Sequence, residues 1–376
     1  MRPVLREELM PAPAGTVTTM LPGRTPLLVR GKAPHAETTL GALLPAGYTR
    51  LLIPAYAARP NAPQLPLFGY TFACVVDDEL WVAAMRTDES DDWQPRYFGA
   101  GELEETIARR QALDPSNRAL AQVALCSREY GCFTAQNVFL ERGEAALPVS
   151  PTCNAACVGC ISELEPGSAI PSPQTRLAFE PEVDELARLG IHHLERVAAG
   201  IISFGQGCEG EPLLRSTTIA AAIERIRATC TSGTINLNTN GSMTRSLERV
   251  IDAGLQAVRI SLNSFRPDVY AAYYRPTGYA LDDVLASIAL AVRRGLRVSL
   301  NVLTHPGVTD DRAEVDAMET FLRAHPVAMI QTRTLNIDPD VYFARVGRPS
   351  DPIGMRAALA RIGALGISLG NFTHTH

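Results

Sequence analysis

Three cysteines lie within ten residues of one another in the stretch PTCNAACVGC, residues 151–160. Cys153, Cys157 and Cys160 have the spacing C-x3-C-x2-C. Three thiolates from one loop can ligate a [4Fe–4S] cluster and leave one iron open to another ligand. Structural zinc usually takes four ligands in two pairs, and no second pair or nearby histidine accompanies these cysteines. The spacing alone predicts a metal site, with a cluster and zinc as the alternatives.

The rest of the composition bears on where the chain works and what it binds. The start MRPVLREELMPAPAG has no apolar core of a secretory signal, and eight cysteines among 376 residues do not make a disulfide scaffold. We therefore expect a reducing cytoplasm rather than disulfides. No apolar run is long enough for a membrane span. The net charge of −5 gives no electrostatic case for a nucleic-acid partner, which demotes RNA without excluding it.

A second stretch, FGQGCEGEPLL at 204–214, is rich in glycine. Gly205, Gly207 and Gly210 match the G-x-G-x-x-G spacing of dinucleotide-binding loops. That motif needs a helix opening directly on the glycines and an acid at the end of the next strand. Here Pro212 intervenes, and the acid about 20 residues on, Glu224, falls within a predicted helix. A nicotinamide-dependent oxidoreductase is therefore the less favoured hypothesis.

Strands and helices alternate from residue 145 onward, and this alternation must position both stretches. About six β/α units are predicted, which favours an α/β fold with a parallel sheet. The cysteines follow the first strand, and the glycine-rich stretch follows the second. Ligands of parallel β/α folds bind at the carboxyl ends of the strands, so both stretches should lie on one rim. The six predicted strands are AALPVS, GIISFG, TINLN, AVRISLN, RVSLNVLT and AMIQTRTL.

Polar side chains cluster at the predicted carboxyl ends of the later strands. Among them, Asn301, Gln331 and Arg333 are candidates for a substrate pocket, and Arg333 suits a carboxylate or phosphate. Cys208, inside the glycine-rich stretch, is a fourth candidate, with packing beneath the loop as the alternative. The polar residues at these strand ends are Asn238, Thr239, Asn240, Ser261, Asn263, Asn301, Thr304, Gln331, Thr332 and Arg333.

The cysteine spacing and the Gly210-Glu211-Pro212 segment together resemble the radical S-adenosylmethionine (SAM) superfamily. The resemblance covers roughly residues 145–340. Members of that family carry a Gly-Gly-Glu-Pro-like segment after the second strand, where it holds the SAM amino group. In this chain Glu209 stands in place of the first glycine. The segments TNG and RISLNS, on and after the third and fourth strands, extend the resemblance.

The resemblance implies a fold, two cofactors and a reaction. The fold would be a partial (β/α)6 TIM-like barrel. Three cysteines would hold a [4Fe–4S] cluster whose fourth iron chelates SAM, and an electron donor such as a flavodoxin or ferredoxin would reduce it. The resulting 5′-deoxyadenosyl radical would abstract hydrogen from a small-molecule or peptide substrate. A non-catalytic metal- or cluster-binding regulatory protein is the alternative. The implied residues are Cys153, Cys157 and Cys160 for the cluster, and Gly210, Glu211, Pro212, Thr239, Ser261 and Asn263 for SAM.

The part before the cysteines has a different pattern. We expect residues 1–143 to form a mixed α/β accessory domain, 144–340 the core, and 341–376 a C-terminal helix and tail that pack on it. Residues 70–86 predict a β-hairpin turning at Asp77-Asp78. GELEETIARRQAL and PSNRALAQVALCSREYG predict helices.

The remaining cysteines are scattered along the sequence. Cys74, Cys126 and Cys132 are predicted to be small buried residues, with a second cluster, joined by Cys208, as the open alternative. No cysteine follows Cys230. Several relatives of the radical SAM type bind extra clusters in a cysteine-rich C-terminal segment, including peptide maturases and the cyclase of molybdopterin synthesis. Those activities are disfavoured by this absence.

Overall fold

The structure is a computed structural model that describes residues 2–27, 38–88, 90, 93, 98 and 101–371. Antiparallel strands dominate its first part. The predicted hairpin is confirmed, because two strands flank Asp77 and Asp78, whose φ angles of 50° and 64° suit a two-residue hairpin turn. The strands are β1 (Leu9–Pro11), β2 (Val17–Leu21), β3 (Arg24–Pro26), β4 (Thr39–Leu43), β5 (Tyr48–Arg50), β6 (Tyr56–Ala58), β7 (Thr71–Val76) and β8 (Glu79–Arg86). They pair in the order β1-β8-β7-β4-β2, with β5 on β8 and β3 on β6.

Three helices follow: α1 (Leu103–Leu113), α2 (Arg118–Glu129) and α3 (Phe133–Leu140). The first two were predicted, and α3 was not. Asn117 caps α2 by accepting a hydrogen bond from the backbone N–H of Leu120. The buried residues Ile107, Leu120 and Val138 belong to the same hydrophobic cluster as the central sheet. The three helices therefore pack on the core, and the proposed boundary at residue 143 passes through a shared hydrophobic core.

A parallel sheet forms the centre of the molecule. Its order follows the chain, with the first and last of its strands at opposite edges. Six of its strands were predicted, and a seventh short strand adds to the edge. The α/β class is confirmed, and within the described residues the sheet is open. The strands are β9 (Glu144–Leu147), β10 (Ile201–Phe204), β11 (Thr234–Thr239), β12 (Ala257–Leu262), β13 (Arg297–Thr304), β14 (Met329–Thr334) and β15 (Ser368–Gly370).

Helices connect these strands. Ile219, Ile223 and Ile226 form one stripe and are fully buried, as their helical spacing predicts. Two eight-residue helices were not predicted, and each begins with a proline at its first position, where no N–H partner is needed. The helices are α4 (Val183–Arg196), α5 (Ser216–Arg227), α6 (Thr244–Asp252), α7 (Pro267–Tyr274), α8 (Leu281–Arg293), α9 (Arg312–Ala324), α10 (Pro339–Val346) and α11 (Met355–Gly363). None of the described helices combines the length and apolar character needed to cross a membrane.

The two faces of the parallel sheet differ in chemistry. On β12, Val258, Ile260 and Leu262 are at most 1% exposed, whereas the alternating Arg259 and Ser261 are only half-buried. Residues directly opposite each other on neighbouring strands share a face. The polar side therefore continues across the sheet. We call it the polar face, and it comprises Ser203, Asn236, Asn238, Arg259, Ser261, Asn301, Gln331 and Arg333.

Candidate functional site

The cysteine loop, residues 151–160, lies against the glycine-rich stretch. The backbone N–H of Gly210 donates to Ser150 O at 2.8 Å, and that of Glu211 donates to Thr152 O at 2.8 Å. A Cβ atom on Gly210 would lie 1.9 Å from Thr152 O and 3.0 Å from Cys153 N. Only glycine allows this approach. Residue 210 therefore joins the two predicted stretches by direct backbone contact.

The opposite side of the loop is held by the end of α7. The N–H groups of Ala156 and Val158 donate to the carbonyl oxygens of Tyr274 and Tyr273 at 3.1 and 3.0 Å. These bonds satisfy backbone N–H groups between the cysteines. Backbone hydrogen bonds to the end of α7 therefore help to fix the conformation of the loop.

Asn154 connects the same loop to the predicted TNG segment. Its side chain donates to Ser242 Oγ at 2.9 Å and accepts from Asn240 Nδ2 at 2.9 Å. Both the Nδ2 amino group and the Oδ1 oxygen of Asn154 are thus hydrogen-bonded within the site. The cysteine loop, the glycine-rich stretch and the segment after β11 form one hydrogen-bonded unit, as the shared rim predicted.

Glu211 is buried at the centre of this unit, with only 3% of its surface exposed. Its carboxylate accepts from Leu213 N at 2.9 Å, Thr239 Oγ1 at 2.5 Å and Asn240 N at 2.8 Å. Burial raises the pKa of Glu211 to about 7, although the three hydrogen-bond donors lower it. Glu211 and Thr239 therefore brace two segments against each other. Their direct contact with SAM stays a prediction.

Glu209 was noted in the sequence only as a departure from the expected glycine. In the structure its buried carboxylate accepts from Val149 N and Ser150 N, both at 2.7 Å, and from Gln206 N at 2.6 Å. Burial raises the pKa of Glu209 to about 8. The side chain thus ties the end of the β9 segment to the glycine-rich stretch, a role that no sequence pattern announced.

The three loop thiols are half-buried and lie close enough to influence one another. Burial raises the pKa of Cys153 and, more strongly, that of Cys157, where the neighbouring thiols add to the effect. Arg176 Nη2 donates to Cys160 Sγ at 3.4 Å. A bound cluster would offset the cost of holding three adjacent thiolates, because iron coordination stabilises the deprotonated form of a thiol.

The donor set also bears on which metal group fits. The loop contributes three thiols, and no histidine or carboxylate is recorded beside them as a fourth ligand among the described residues. Structural zinc needs four closed ligands, whereas a cubane takes three thiolates and leaves one iron open. Three thiols on one loop therefore suit a [4Fe–4S] cluster better than structural zinc.

A group of tyrosines borders the loop thiols and was not recognised in the sequence. Tyr270 stacks on Tyr274 with ring centroids 4.5 Å apart and donates to Tyr279 Oη at 3.3 Å. Burial, with a contribution from Cys157, raises the pKa of all three hydroxyls. Tyr274 Oη is buried and has no hydrogen-bond partner among the described residues. The crowding of tyrosine in YAAYYRPTGY, residues 270–279, was the available signal.

Charged and polar side chains form a network on the polar face. Glu144 accepts from Ser203 Oγ at 2.5 Å and from Arg259 Nη1 at 3.2 Å. Arg259 also donates to Asn238 Oδ1 at 2.7 Å. Four adjacent strands, β9 to β12, are linked in this way. The face therefore offers hydrogen-bonding groups that are already oriented.

The predicted pocket residues on β13 and β14 continue this face. Asn301 stands opposite Ser261 on one side and Gln331 on the other. Its Nδ2 donates to Ser261 Oγ at 3.3 Å, and its Oδ1 is buried without a partner among the described residues. Arg333 donates to Asn371 O at 3.0 Å. Burial, with the like charge of Arg259, lowers the pKa of Arg333 to about 10.

Two predicted site residues are buried. Cys208 is 5% exposed and lines a cavity of about 10 Å³, which agrees with the alternative of packing beneath the loop. Asn263 is 1% exposed, and its Nδ2 donates to Tyr342 Oη at 3.1 Å and to Val269 O at 3.4 Å. A substrate contact by Cys208 and a SAM contact by Asn263 stay predictions.

Comparisons with known proteins find similarity to one family. A family model described as the Radical SAM superfamily matches residues 147–318. GTP 3′,8-cyclase of Lactiplantibacillus plantarum is 30% identical over 168 residues, 44% of this chain and 46% of that protein. The protein of that name from Alkaliphilus metalliredigens is 32% identical over 170 residues, 45% of this chain and 49% of that protein. The chain spans about half the length of these relatives.

A solved structure is also similar. A radical SAM methyltransferase from Sphaerobacter thermophilus shares 17% identity over 60% of this chain and 64% of that chain, with a TM-score of 0.43.

Proposed function

We propose that residues 147–318, which match the radical SAM family model, hold a [4Fe–4S] cluster and SAM, and that the chain uses these cofactors to abstract hydrogen from a substrate. The observation that carries the proposal is the hydrogen-bonded unit of cysteine loop, Gly210-Glu211 segment and Asn240. When bound, the cofactors supply an electron to the sulfonium and thereby a 5′-deoxyadenosyl radical.

The residues of the site would divide the work as follows. The loop thiols would hold the cluster, and Arg176 would stabilise the thiolate of Cys160 through its hydrogen bond at 3.4 Å. Gly210 would keep the backbone close to the loop, and Pro212 would fix the turn that follows. Ser261, half-buried on the polar face, remains a candidate SAM contact from β12.

A substrate would bind against the polar face. Asn301, Gln331 and Arg333 supply an amide acceptor, a second amide and a cation there. Enclosure by buried tyrosines would keep water and stray hydrogen donors from a radical. Gln331 and Arg333 lie beyond residue 318, outside the matched family segment. For that reason GTP, the substrate in the relatives' name, is not carried over to this chain.

Reduction of the cluster requires an electron donor, and we propose a small one such as a flavodoxin or ferredoxin. The half-buried cysteine loop gives a donor access to the site without opening of the core. The nicotinamide hypothesis loses its support, because a 3-10 turn, Pro212–Arg215, separates the glycines from α5. Glu224, the acid that hypothesis requires, is exposed on α5 and not at a strand end. The hypothesis of a regulatory metal site is also less favoured, because such a site does not require the Gly210-Glu211 segment beside the cysteine loop.

The test is anaerobic reconstitution with iron and sulfide, followed by SAM and a strong reductant. We expect cluster absorbance and the formation of 5′-deoxyadenosine. Replacing Cys153, Cys157 and Cys160 together with Ala should abolish both signals. The control is Cys230→Ala, which removes a buried thiol that points at Ile191 O. Cluster-loaded protein that forms no 5′-deoxyadenosine would overturn the proposal.

A further inference from the structure

Arg176 is a charged residue beside the loop thiols that no sequence pattern singled out. It lies 16 residues after Cys160 in the chain, yet its Nη2 donates a hydrogen bond to Cys160 Sγ at 3.4 Å. Its side chain is 14% exposed, so the guanidinium is largely shielded from water. A cation that contacts a metal-binding thiol acts on any metal group which that thiol holds.

Hydrogen bonds fix the direction of the Arg176 guanidinium. Its Nε donates to Ser162 Oγ at 3.2 Å, and its Nη1 forms an ion pair with Glu163. Ser162 is itself buried, and its Oγ donates to Glu209 O at 3.4 Å. All three nitrogens of the guanidinium therefore have a partner, and the partner of Nη2 is the sulfur of Cys160.

The backbone on both sides of Arg176 is also held. The N–H of Gln174 donates to Ile161 O at 2.9 Å, directly after the cysteine loop. The N–H of Leu177 donates to Cys208 O at 2.7 Å, within the glycine-rich stretch. The side chain therefore starts from a fixed point between the two stretches of the site. A residue held at its backbone and at its head group loses little conformational entropy when it binds a charged partner.

A cation that donates to a cluster sulfur changes the energies of the two redox states of the cluster unequally. One-electron reduction adds a negative charge to the cluster, so a nearby positive charge stabilises the reduced state more than the oxidised state. Hydrogen bonds to the sulfurs are among the factors that set the reduction potential of such clusters, and they act in the same direction. Both effects are stronger at a partly buried position, because water screens charges less there.

Glu163 carries the opposite charge and weakens the effect of Arg176. Its side chain is 64% exposed, against 14% for Arg176, so water screens the carboxylate more than the guanidinium. Arg176 also donates directly to the sulfur of Cys160. The net influence of the ion pair on the loop thiols is therefore that of a positive charge.

We propose that Arg176 is a positioning residue that raises the reduction potential of the cluster, by holding a positive charge and a hydrogen bond at Cys160 Sγ. The inference rests on the proposed function, because it requires the cluster. The electron passes from the small electron donor to the cluster. Arg176 is neither oxidised nor reduced, and no covalent bond to it forms or breaks. A higher potential allows weaker reductants to deliver this electron, so Arg176 determines which donors can support the reaction.

The experiment is a potentiometric titration of the anaerobically reconstituted full chain, followed by electron paramagnetic resonance. Arg176→Gln removes the charge, so the midpoint potential should become more negative. We expect at least a tenfold smaller equilibrium constant for reduction, which corresponds to about 59 mV for one electron. Arg176→Lys keeps the charge but lacks the fork that bonds Ser162 and Cys160 together, so its potential should lie between those of Arg176→Gln and the wild type.

Arg345→Gln is the matched control. Arg345 pairs with Glu165 at 3.2 Å, so this variant also removes the arginine of an arginine–glutamate pair, but from an exposed position on α10. Its midpoint potential should equal that of the wild type.

The outcomes separate this inference from the proposed function. Equal potentials in cluster-loaded wild type and Arg176→Gln would overturn the inference and leave the proposed function standing. If Arg176→Gln loads no cluster, equal potentials in the wild type and Arg176→Lys would overturn the inference instead. A wild-type protein that loads no cluster would overturn the proposed function, and the inference with it.

Discussion

Two sets of three thiols have different surroundings: the loop cysteines, Cys153, Cys157 and Cys160, and the packed cysteines, Cys126, Cys132 and Cys208. One loop presents the first set, half-buried, with the backbone between the thiols bonded to neighbouring segments. Three separate elements present the second set around a cavity for one water at most. Ligation of a cluster needs thiols around a space that can hold it, and the cavity of the packed cysteines is too small. The space around a cysteine therefore decides whether it is suited to ligation or to packing.

The two sets meet at the glycine-rich stretch. Its Gly210 and Glu211 bind the cysteine loop, while Cys208 and Gln206 face α2 and α3. The glycine-rich stretch therefore separates the two sets of cysteines and contacts both. Changes on the side of the cysteine loop should therefore impair cluster binding, whereas changes on the side of α2 and α3 should leave it intact.

The largest expected effect concerns iron. Wild-type protein should bind about four iron atoms per chain after reconstitution, as one cubane requires. Replacing Cys153, Cys157 and Cys160 with Ala should reduce iron to background, because the cluster would lose its three thiolate ligands. Replacing Cys126, Cys132 and Cys208 with Ala should leave about four. Loss of iron from the second variant would break the comparison by showing that the packed cysteines also ligate metal.

A comparable loss is expected from Gly210→Ala. The new Cβ would meet backbone atoms at Thr152 and Cys153, which cannot move without moving the cysteine loop. Such backbone crowding costs about 3 kcal/mol or more in the free energy of unfolding. Iron content and the urea midpoint measure it. Gly363→Ala, at the end of α11 with its nearest neighbour at 3.5 Å, is the control and should change neither.

A smaller effect should appear as a pH dependence of stability through Glu209. Burial raises its pKa in the folded state to about 8, from 4.5, so the folded protein holds this proton more tightly. The free energy of unfolding should therefore fall as the pH rises from 4.5 to 8, by up to about 5 kcal/mol. Glu209→Gln should remove that share of the slope. Parallel urea titrations of both proteins across this window would contradict the assignment if their difference stayed constant.

The smallest effect is expected from Asn154→Ala. This change removes two hydrogen bonds that join the cysteine loop to the segment after β11. A loss of about 1–2 kcal/mol in local stability should follow, with several-fold faster iron release to a chelator. Gln122→Ala, which removes a bond to Cys126, is the matched control for the packed cysteines. Equal rates in the two variants would show that the loop is not held through Asn154.

Sequence reasoning succeeded where the pattern was local. The six longer strands of the parallel sheet are apolar runs, and the hairpin turn is marked by two aspartates at positive φ. It missed β15, which has three residues, and α7 and α10, which have eight residues each and begin with proline. Elements this short carry too few periods of any hydrophobic pattern. The division at residue 143 stays a prediction that the shared hydrophobic core weakens.

The sequence also did not determine which polar residues at the strand ends share a site. Asn301 and Gln331 were predicted to share a site, and they stand opposite each other on one face. Asn263 carried the same sequence signal but lies just past the end of β12, where the chain turns toward α7 and buries it. A polar residue near a strand end is visible in sequence, whereas the direction of its side chain depends on the turn that follows.

The amino-acid sequence by itself determined the loop cysteines, the Gly210-Glu211-Pro212 segment and the family to which they point. Residues that come from one loop lie close together in the sequence, so their spacing can be recognised without the structure. Only the tertiary structure decided that Glu209 and Glu211 act as buried braces and that Cys126, Cys132 and Cys208 meet. Those contacts join segments far apart in the chain, and their positions depend on how helices pack against the sheet.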